Sequence, residues 1–326
     1  MLSKRGEYPF PIPCGWFRVA FVADISGGEV KSLRYFGEEQ VLFVSESGAV
    51  QLFGAHCPHL GAHLGKGGRV EGETLRCPFH GWGFDKAGEC VEVPYAKRIP
   101  PQARLRRYPT AVKNGIVWAW YHPEGEEPGW APPEVPELSS ADWSAPVHHR
   151  WMIRTRNQEI AENTADPAHF SAVHGFAKAP APEIEFSQHR CRSVSESRVP
   201  RSDGEMAASR LEVHWYGLGL GLVRSTGAFE LLVAGTNTPV DETTVDACFS
   251  FSVCQARGLS PGEGAGQAFI REAIRQMEQD IPIWENKAFA ERPILCDGDG
   301  PIGSFRAWAS QFYPQSDLTG AEREQQ

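Results

Sequence analysis

The sequence predicts an α+β protein of two domains: an all-β N-terminal domain, then an α+β domain built on an antiparallel sheet. Three observations carry this reading. Residues Gly15 to Tyr121 read as short strand runs separated by glycine turns, a proline- and glutamate-rich stretch follows, and beyond it helical and alternating patterns mix. At 326 residues the chain has room for two domains.

Val41-Leu42-Phe43-Val44 and Ile116-Val117-Trp118-Ala119-Trp120 are the clearest strands of the first part, rich in β-branched and aromatic residues. From His122 to Glu137 come Pro123, Pro128, Pro132, Pro133 and Pro136, with four glutamates before the last proline. Such a segment is stiff and exposed, so the boundaries are set at 1–122, 123–137 (linker) and 138–326. In the last segment a helix is predicted from about Asn157 to Val173, broken near Pro167. Arg210 to Val253 alternates as strands, with Thr238-Pro239-Val240-Asp241 as the turn between two of them. Alternation in Cys248–Val253 puts Phe249, Phe251 and Val253 on one buried face. A glycine-rich loop, Pro261 to Gly266, precedes a long helix from about Gln267 to Phe289, which Pro282 should end or kink. The tail after Pro314 is polar and is expected to fray.

Composition narrows the function. The chain is 41% hydrophobic and 22% charged, as soluble globular proteins are. A net charge of −9 argues against nucleic acid, which needs a basic footprint. No apolar run approaches the roughly 18 residues of a membrane span, and Met1-Leu2-Ser3-Lys4-Arg5-Gly6, followed by prolines, is neither signal peptide nor anchor. Cys14, Cys90, Cys191, Cys248, Cys254 and Cys296 are scattered, with no disulfide framework, so a reducing cytoplasm is expected.

The other two cysteines sit in Cys57-Pro58-His59 and Cys77-Pro78-Phe79-His80, separated by 17 residues. Two thiolates and two imidazoles suit a 2Fe-2S centre with two Cys on one iron and two His on the other. Zinc also takes this donor set, but zinc fingers usually pair Cys with Cys and His with His; here each loop carries one of each. Pro follows each Cys, and Gly61, Gly65, Gly67, Gly68 and Gly81 surround the pairs, where backbone must approach sulfur closely. Gly81-Trp82-Gly83-Phe84 offers aromatic cover, and His56 and His63 read as ordinary loop residues. The pattern closely resembles the Rieske family.

A second metal motif lies in Glu162–His174: Asp166-x-x-His169-x-x-x-x-His174. Two His and one carboxylate on one metal face leave coordination positions for O2 and substrate, as in non-haem Fe(II) oxygenases. His169 and His174 are five apart, so a helix end or distortion is expected between them. The competing reading, surface histidines beside a capping Asp, suits either His taken alone better than it suits the triplet.

With both motifs in one chain, the sequence resembles the oxygenase component of Rieske non-haem iron oxygenases from about Gly15 to the C-terminal helix. The resemblance implies a helix-grip catalytic domain and a 2Fe-2S Rieske cluster on Cys57, His59, Cys77 and His80. It also implies a mononuclear Fe(II) on His169, His174 and a distant carboxylate. Gln279-Asp280-Ile281-Pro282-Ile283-Trp284-Glu285 matches the family's C-terminal helix and makes that carboxylate Asp280, with Glu278 its rival. Asp166 is then no ligand: it should hydrogen-bond His169 and, across a head-to-tail homotrimer, the neighbour's His80, carrying the electron between centres. Asn163 should lie near the iron; its competing role is a helix N-cap.

Tyr8–Phe17 and Cys57–Ala62 resemble cholesterol 7-desaturases; Val93–Ala96, Thr238–Asp241 and Gln279–Lys287 resemble 3-ketosteroid 9α-hydroxylase oxygenases. A steroid or sterol-like hydrophobic substrate is therefore expected, hydroxylated or desaturated. The alternatives are oxygenation or demethylation of a smaller aromatic or alicyclic compound, and a plain Rieske electron carrier. Trp215, Phe229, Leu231 and Phe249 could line an apolar pocket, or be ordinary sheet core. No Gly-x-Gly-x-x-Gly fingerprint follows a strand, so electrons should come from a separate NAD(P)H-dependent reductase carrying flavin, a ferredoxin, or both. Lys97, Arg98, Arg104, Arg106 and Arg107 form a basic stretch that could dock it, or be a solvated or inter-subunit face.

Overall fold

A computed structural model of the chain describes residues 10–175, 182–200, 205–227 and 230–314. The chain divides into two compact units: Trp16–Pro133, and Glu134 onward together with residues 10–15. The boundary falls inside the proline-rich stretch. Residues 10–15 belong to the second unit because Phe10 stacks on Tyr313 (4.8 Å between ring centres) and the Cys14 amide donates to the Phe312 carbonyl at 2.7 Å. No described helix is long and apolar enough to cross a membrane.

The first unit is built from three small sheets. One joins Gly15–Phe21, Ile116–Tyr121 and Thr110–Lys113. A second joins Val30–Tyr35, Glu38–Val44, Val50–Gly54 and Arg107–Tyr108, and the third Arg69–Glu71, Thr74–Arg76, Gly83–Phe84 and Cys90–Glu92. Phe43, Phe53, Leu64, Leu75 and Phe84 form its core, and Cys57 and Cys77 belong to the same cluster. The basic stretch is largely neutralised within the unit. Arg106 donates to Glu38 at 2.5 Å, and Arg104 and Arg107 lie 3.9 and 3.7 Å from Glu89 and Glu127.

The second unit carries a seven-stranded antiparallel sheet. Its strands are β1 (Val147–Ile153), β2 (Glu183–Ser187), β3 (Arg190–Pro200), β4 (Met206–Tyr216), β5 (Leu220–Gly227), β6 (Leu231–Pro239) and β7 (Val245–Val253). Their order in space is β1-β7-β6-β5-β4-β3-β2. Val213, Val223, Val233 and Phe251 stand in register across four strands. Against this row packs a 21-residue helix, α3 (Gly264–Trp284; α1 and α2 follow below), through Phe269, Ile270, Ala273 and Ile274. In the next row the Phe249 ring lies over Gly235 and the Trp215 ring over Gly221: a Cβ on either glycine would come within 3.1 Å of a ring atom. Phe229 lies outside the described residues. Trp215, Leu231 and Phe249 share the helix-facing side, Phe249 only partly buried.

Two expectations change. Phe251 and Val253 are buried, but so are Cys248, Ser250 and Ser252 on the other face. Those polar residues are satisfied in place: Ser252 Oγ donates to the Ser144 carbonyl (2.7 Å) and Ser250 Oγ bonds His148 Nδ1 (2.8 Å). Alternating polarity here marks polar groups paired inside, not a solvent face. Further, α3 starts at Gly264, within the supposed loop, and ends at Trp284, two residues after Pro282. Proline removes the amide that would bond the Glu278 carbonyl and its ring crowds that turn, which is why the helix stops within two residues of it.

Candidate metal centres

The two cluster loops share one construction. In each, the glycine four residues after the Cys returns its amide to the Cys carbonyl: Gly61 to Cys57 (2.9 Å) and Gly81 to Cys77 (3.1 Å). Both glycines have φ near +70° (74° and 72°), a left-handed turn that a side chain would strain. Cys57 and Cys77 are buried and interact with each other; burial, and then the second thiol, push the Cys57 thiol up to about 12. Buried thiols in that state deprotonate once a metal binds. The imidazoles pair on the other side, with His59 and His80 ring centres 4.7 Å apart. Two sulfurs together and two rings together are what a 2Fe-2S centre with split ligation needs. His59 stacks flat on Trp82 (4.6 Å, 9°), whose indole N–H donates to Tyr95 Oη at 2.9 Å. Arg76 holds the Gly81 carbonyl at 3.2 Å while pairing with Glu71 and Glu92. Around the rings, Leu60, Phe79 and Tyr95 are each more than 60% exposed. His63 does more than fill the loop: its Nδ1 accepts the Gly65 amide at 3.0 Å.

The second centre is assembled from α1 (Asn157–Glu162), a 3-10 turn (Asn163–Ala165), α2 (Ala168–Ala172) and α3. The single helix expected over 157–173 is thus two, and the break begins at Asn163, before Pro167. α1 is buried along its length, charged side chains included. Glu162 takes a bidentate grip from Arg306 (both 2.7 Å), and Glu159 faces Lys287. Burial still raises the Glu159 carboxyl, against the pull of that lysine. These pairs fix α1 against the C-terminal elements, so the turn that follows is held in place.

His169 lies on α2 and His174 just past its end, which resolves their five-residue spacing. Their ring centres are 5.3 Å apart, and His174 Nε2 is 3.5 Å from Asp280 Oδ2. One potential ligand atom from each of His169, His174 and Asp280 lies within 4.8 Å of the other two. His169 Nδ1 donates to the Asp166 backbone carbonyl (2.5 Å) and His174 Nδ1 bonds Gln279 Oε1 (3.0 Å). Each ring therefore keeps Nε2 as a lone-pair donor. Burial raises the Asp280 carboxyl, opposed by the two histidines. Glu278 is exposed and lies outside the set. Two imidazoles and a carboxylate, with imidazole N–H groups already engaged, fit a divalent iron.

Asp166 differs from expectation. Its carboxylate does not bond the His169 ring; Oδ1 accepts the amides of Ala168 (3.0 Å) and His169 (3.3 Å), and the nearer approach of Oδ2 to Nδ1 is 4.0 Å. The side chain caps α2 because the two free amides there are closer and better aligned than the ring. Asn163 is no N-cap: its Nδ2 donates to Asp280 Oδ2 and its Oδ1 accepts the Trp284 indole N–H, both at 3.3 Å.

Sequence reasoning missed Gln279, Trp284, Thr164 (which accepts the Trp215 indole N–H at 2.7 Å) and Gly300. Gly300 packs so closely that a Cβ would stand 1.9 Å from the Ala165 carbonyl oxygen and 2.7 Å from Pro167 Cδ. Gly300→Ala is therefore expected to displace the segment between Asn163 and His169 and to lower mononuclear iron occupancy at least about tenfold, the loss seen when supports of a metal ligand are removed. Gly303→Ala, at a position with open space, should change nothing. Metal analysis of the two variants checks this.

Comparison with known proteins assigns both parts of the chain to described domain families. Residues 15–109 match the Rieske [2Fe-2S] domain, and residues 119–313 match the 3-ketosteroid 9alpha-hydroxylase C-terminal domain. A probable 3-ketosteroid-9-alpha-monooxygenase oxygenase component of Rhodococcus rhodochrous is 31% identical, over 92% of this chain and 79% of its own length. The cholesterol 7-desaturase of Caenorhabditis elegans is also 31% identical, over 97% and 80%. Among solved structures, NdmA of Pseudomonas putida CBB5 with caffeine aligns with a TM-score of 0.70 at 18% identity, covering 90% of this chain and 89% of that one. Dicamba monooxygenase aligns at 0.65 and 17%, covering 91% and 96%. At those identities the structures speak for the fold alone. With the two families together spanning residues 15–313, the chain belongs to the Rieske non-haem iron oxygenases of the 3-ketosteroid 9α-hydroxylase type.

Proposed function

We propose that this chain is the terminal oxygenase component of a Rieske-type monooxygenase that hydroxylates or desaturates a steroid- or sterol-like substrate, using O2 and electrons from a separate NAD(P)H-dependent reductase. The observation that carries this reading is the set His169, His174 and Asp280, with both Nδ1 atoms engaged, in a chain that also holds the paired Cys and His loops. Cys57, Cys77, His59 and His80 would hold the cluster, and His169, His174 and Asp280 the iron. When bound, the cluster supplies single electrons and the iron activates O2.

The remaining work falls to the protein's own groups. Asn163 holds Asp280 with one end of its amide and Trp284 with the other, fixing the carboxylate's angle. Val213, Val223, Phe249, Ile274 and Ile281, on the inner sheet face and α3, are only partly buried, so apolar surface there stays available to a hydrophobic substrate. The names of the sequence relatives favour a steroid or sterol over a small aromatic.

A homotrimer is the working assembly in this reading. Its support is the exposed apolar collar of Leu60, Phe79 and Tyr95 beside His59 and His80, and the half-exposed Asp166 carboxylate available to a neighbour's His80. A reducing cytoplasm is the proposed compartment; the eight cysteines, all among the described residues, form no disulfide with one another.

The test is a binding screen of the iron-loaded protein, read by magnetic circular dichroism of the Fe(II) site. A 3-ketosteroid or a sterol is expected to perturb the signal at micromolar concentration, and a methylxanthine or chlorinated benzoate is not. Perturbation by the small aromatics alone would overturn the substrate assignment and favour demethylation or ring oxygenation.

A further inference from the structure

We infer that Gln279 is a positioning residue for the metal centre: its side-chain carbonyl selects the tautomer of His174 that can bind metal. The inference rests on the proposed iron site and goes beyond its ligand set.

The two histidines are oriented by different means. His169 Nδ1 meets a backbone carbonyl, that of Asp166, which can only accept a hydrogen bond. Its tautomer is therefore fixed by the fold. His174 Nδ1 meets a side chain instead, the Gln279 amide, at 3.0 Å. An amide can present either oxygen or nitrogen. With oxygen forward, Nδ1 carries the proton and Nε2 keeps its lone pair, 3.5 Å from Asp280 Oδ2. With nitrogen forward, the proton moves to Nε2 and the ring can no longer bind metal through that atom. His174 is almost wholly buried, so water is a poor substitute for the glutamine.

The position on the helix makes this specific. Gln279 adjoins Asp280, so one turn of α3 delivers a ligand and the partner of a second ligand. Gln276, a turn earlier and also partly buried, is engaged elsewhere: its Nε2 donates to Glu272 at 2.9 Å. It serves as the control.

The test uses the full chain with its cluster intact, stripped of mononuclear metal and titrated with Co(II). Gln279→Leu is expected to bind Co(II) about 10–100-fold more weakly, as when the outer partner of a ligating histidine is lost. Gln279→Glu, which offers only acceptor oxygens, is expected to bind at least as tightly as the wild type, and Gln276→Leu to match it. In the Co(II) form the shifted Nδ1–H resonance of His174 should exchange with solvent much faster in Gln279→Leu than in the other variants. An unchanged cluster spectrum reports that each variant is folded. Wild-type affinity in Gln279→Leu, or a Gln279→Glu variant as weak as Gln279→Leu, overturns the inference. Undiminished Co(II) binding by His169→Ala overturns the iron site and the inference with it.

Discussion

Replacing His169 with alanine is expected to leave the visible spectrum of the cluster intact and to remove the mononuclear iron. Iron content should fall from three atoms per chain to two, since a Rieske cluster holds two of them. The residue's surroundings explain why the fold survives. The His169 ring contributes one hydrogen bond, to the Asp166 carbonyl, worth about 1 kcal/mol. That carbonyl belongs to a half-buried turn that other contacts hold, among them the Glu162–Arg306 pair before it and the Asp166 carboxylate on the α2 amides after it. The metal site has no replacement for the ring. Only His174 and Asp280 remain from the set, and the loss in affinity should exceed the roughly 100-fold that removal of a mere supporting partner can cost. Turnover of the proposed steroid-like substrate is lost with the iron. Paired metal analysis and absorption spectra check the result, and full iron retention would refute the ligand assignment.

The ease of reading each centre from sequence follows from how locally it is built. The cluster loops are short-range devices: Cys, then a His, then a glycine returning its amide to the Cys carbonyl, all within five residues. Residue types and spacing are enough to show them. The histidine pair of the second centre is nearly as local, and its five-residue spacing implied the helix end found at Ala172. The rest of that centre is long-range. Asn163 meets Asp280 and Trp284 from more than 110 residues away, and Gly300 touches Ala165 across a similar gap. No periodicity reports such contacts. Gln279 sat beside a named candidate, yet its partner is across the site, and only the folded arrangement turns its amide toward His174. The same limit applies to the sheet. Alternation in β7 predicts one buried face, whereas both are buried and the polar residues of the second are paired internally.

Asp166→Asn is expected to keep both metals and still fail to pass electrons between them. The substitution is chosen because Asp166 has two jobs that alanine would remove together. Its Oδ1 caps α2, and loss of such a cap costs about 1 kcal/mol and would loosen His169. Asparagine caps as well as aspartate, so α2 and the iron site should hold. What disappears is the negative charge and the second acceptor oxygen. Oδ2 makes no bond shorter than 4.0 Å to the His169 ring, and the side chain is 39% exposed, so within one chain that oxygen has little to do. In the proposed trimer it is the atom that meets a neighbour's His80 N–H. Reoxidation of a chemically reduced cluster by O2 and substrate in a single turnover should slow by about 10–100-fold, the scale of losing an outer partner of a ligating histidine. The initial reduction of the cluster should be unaffected. Reoxidation at the wild-type rate would reduce Asp166 to a helix cap and remove the proposed bridge.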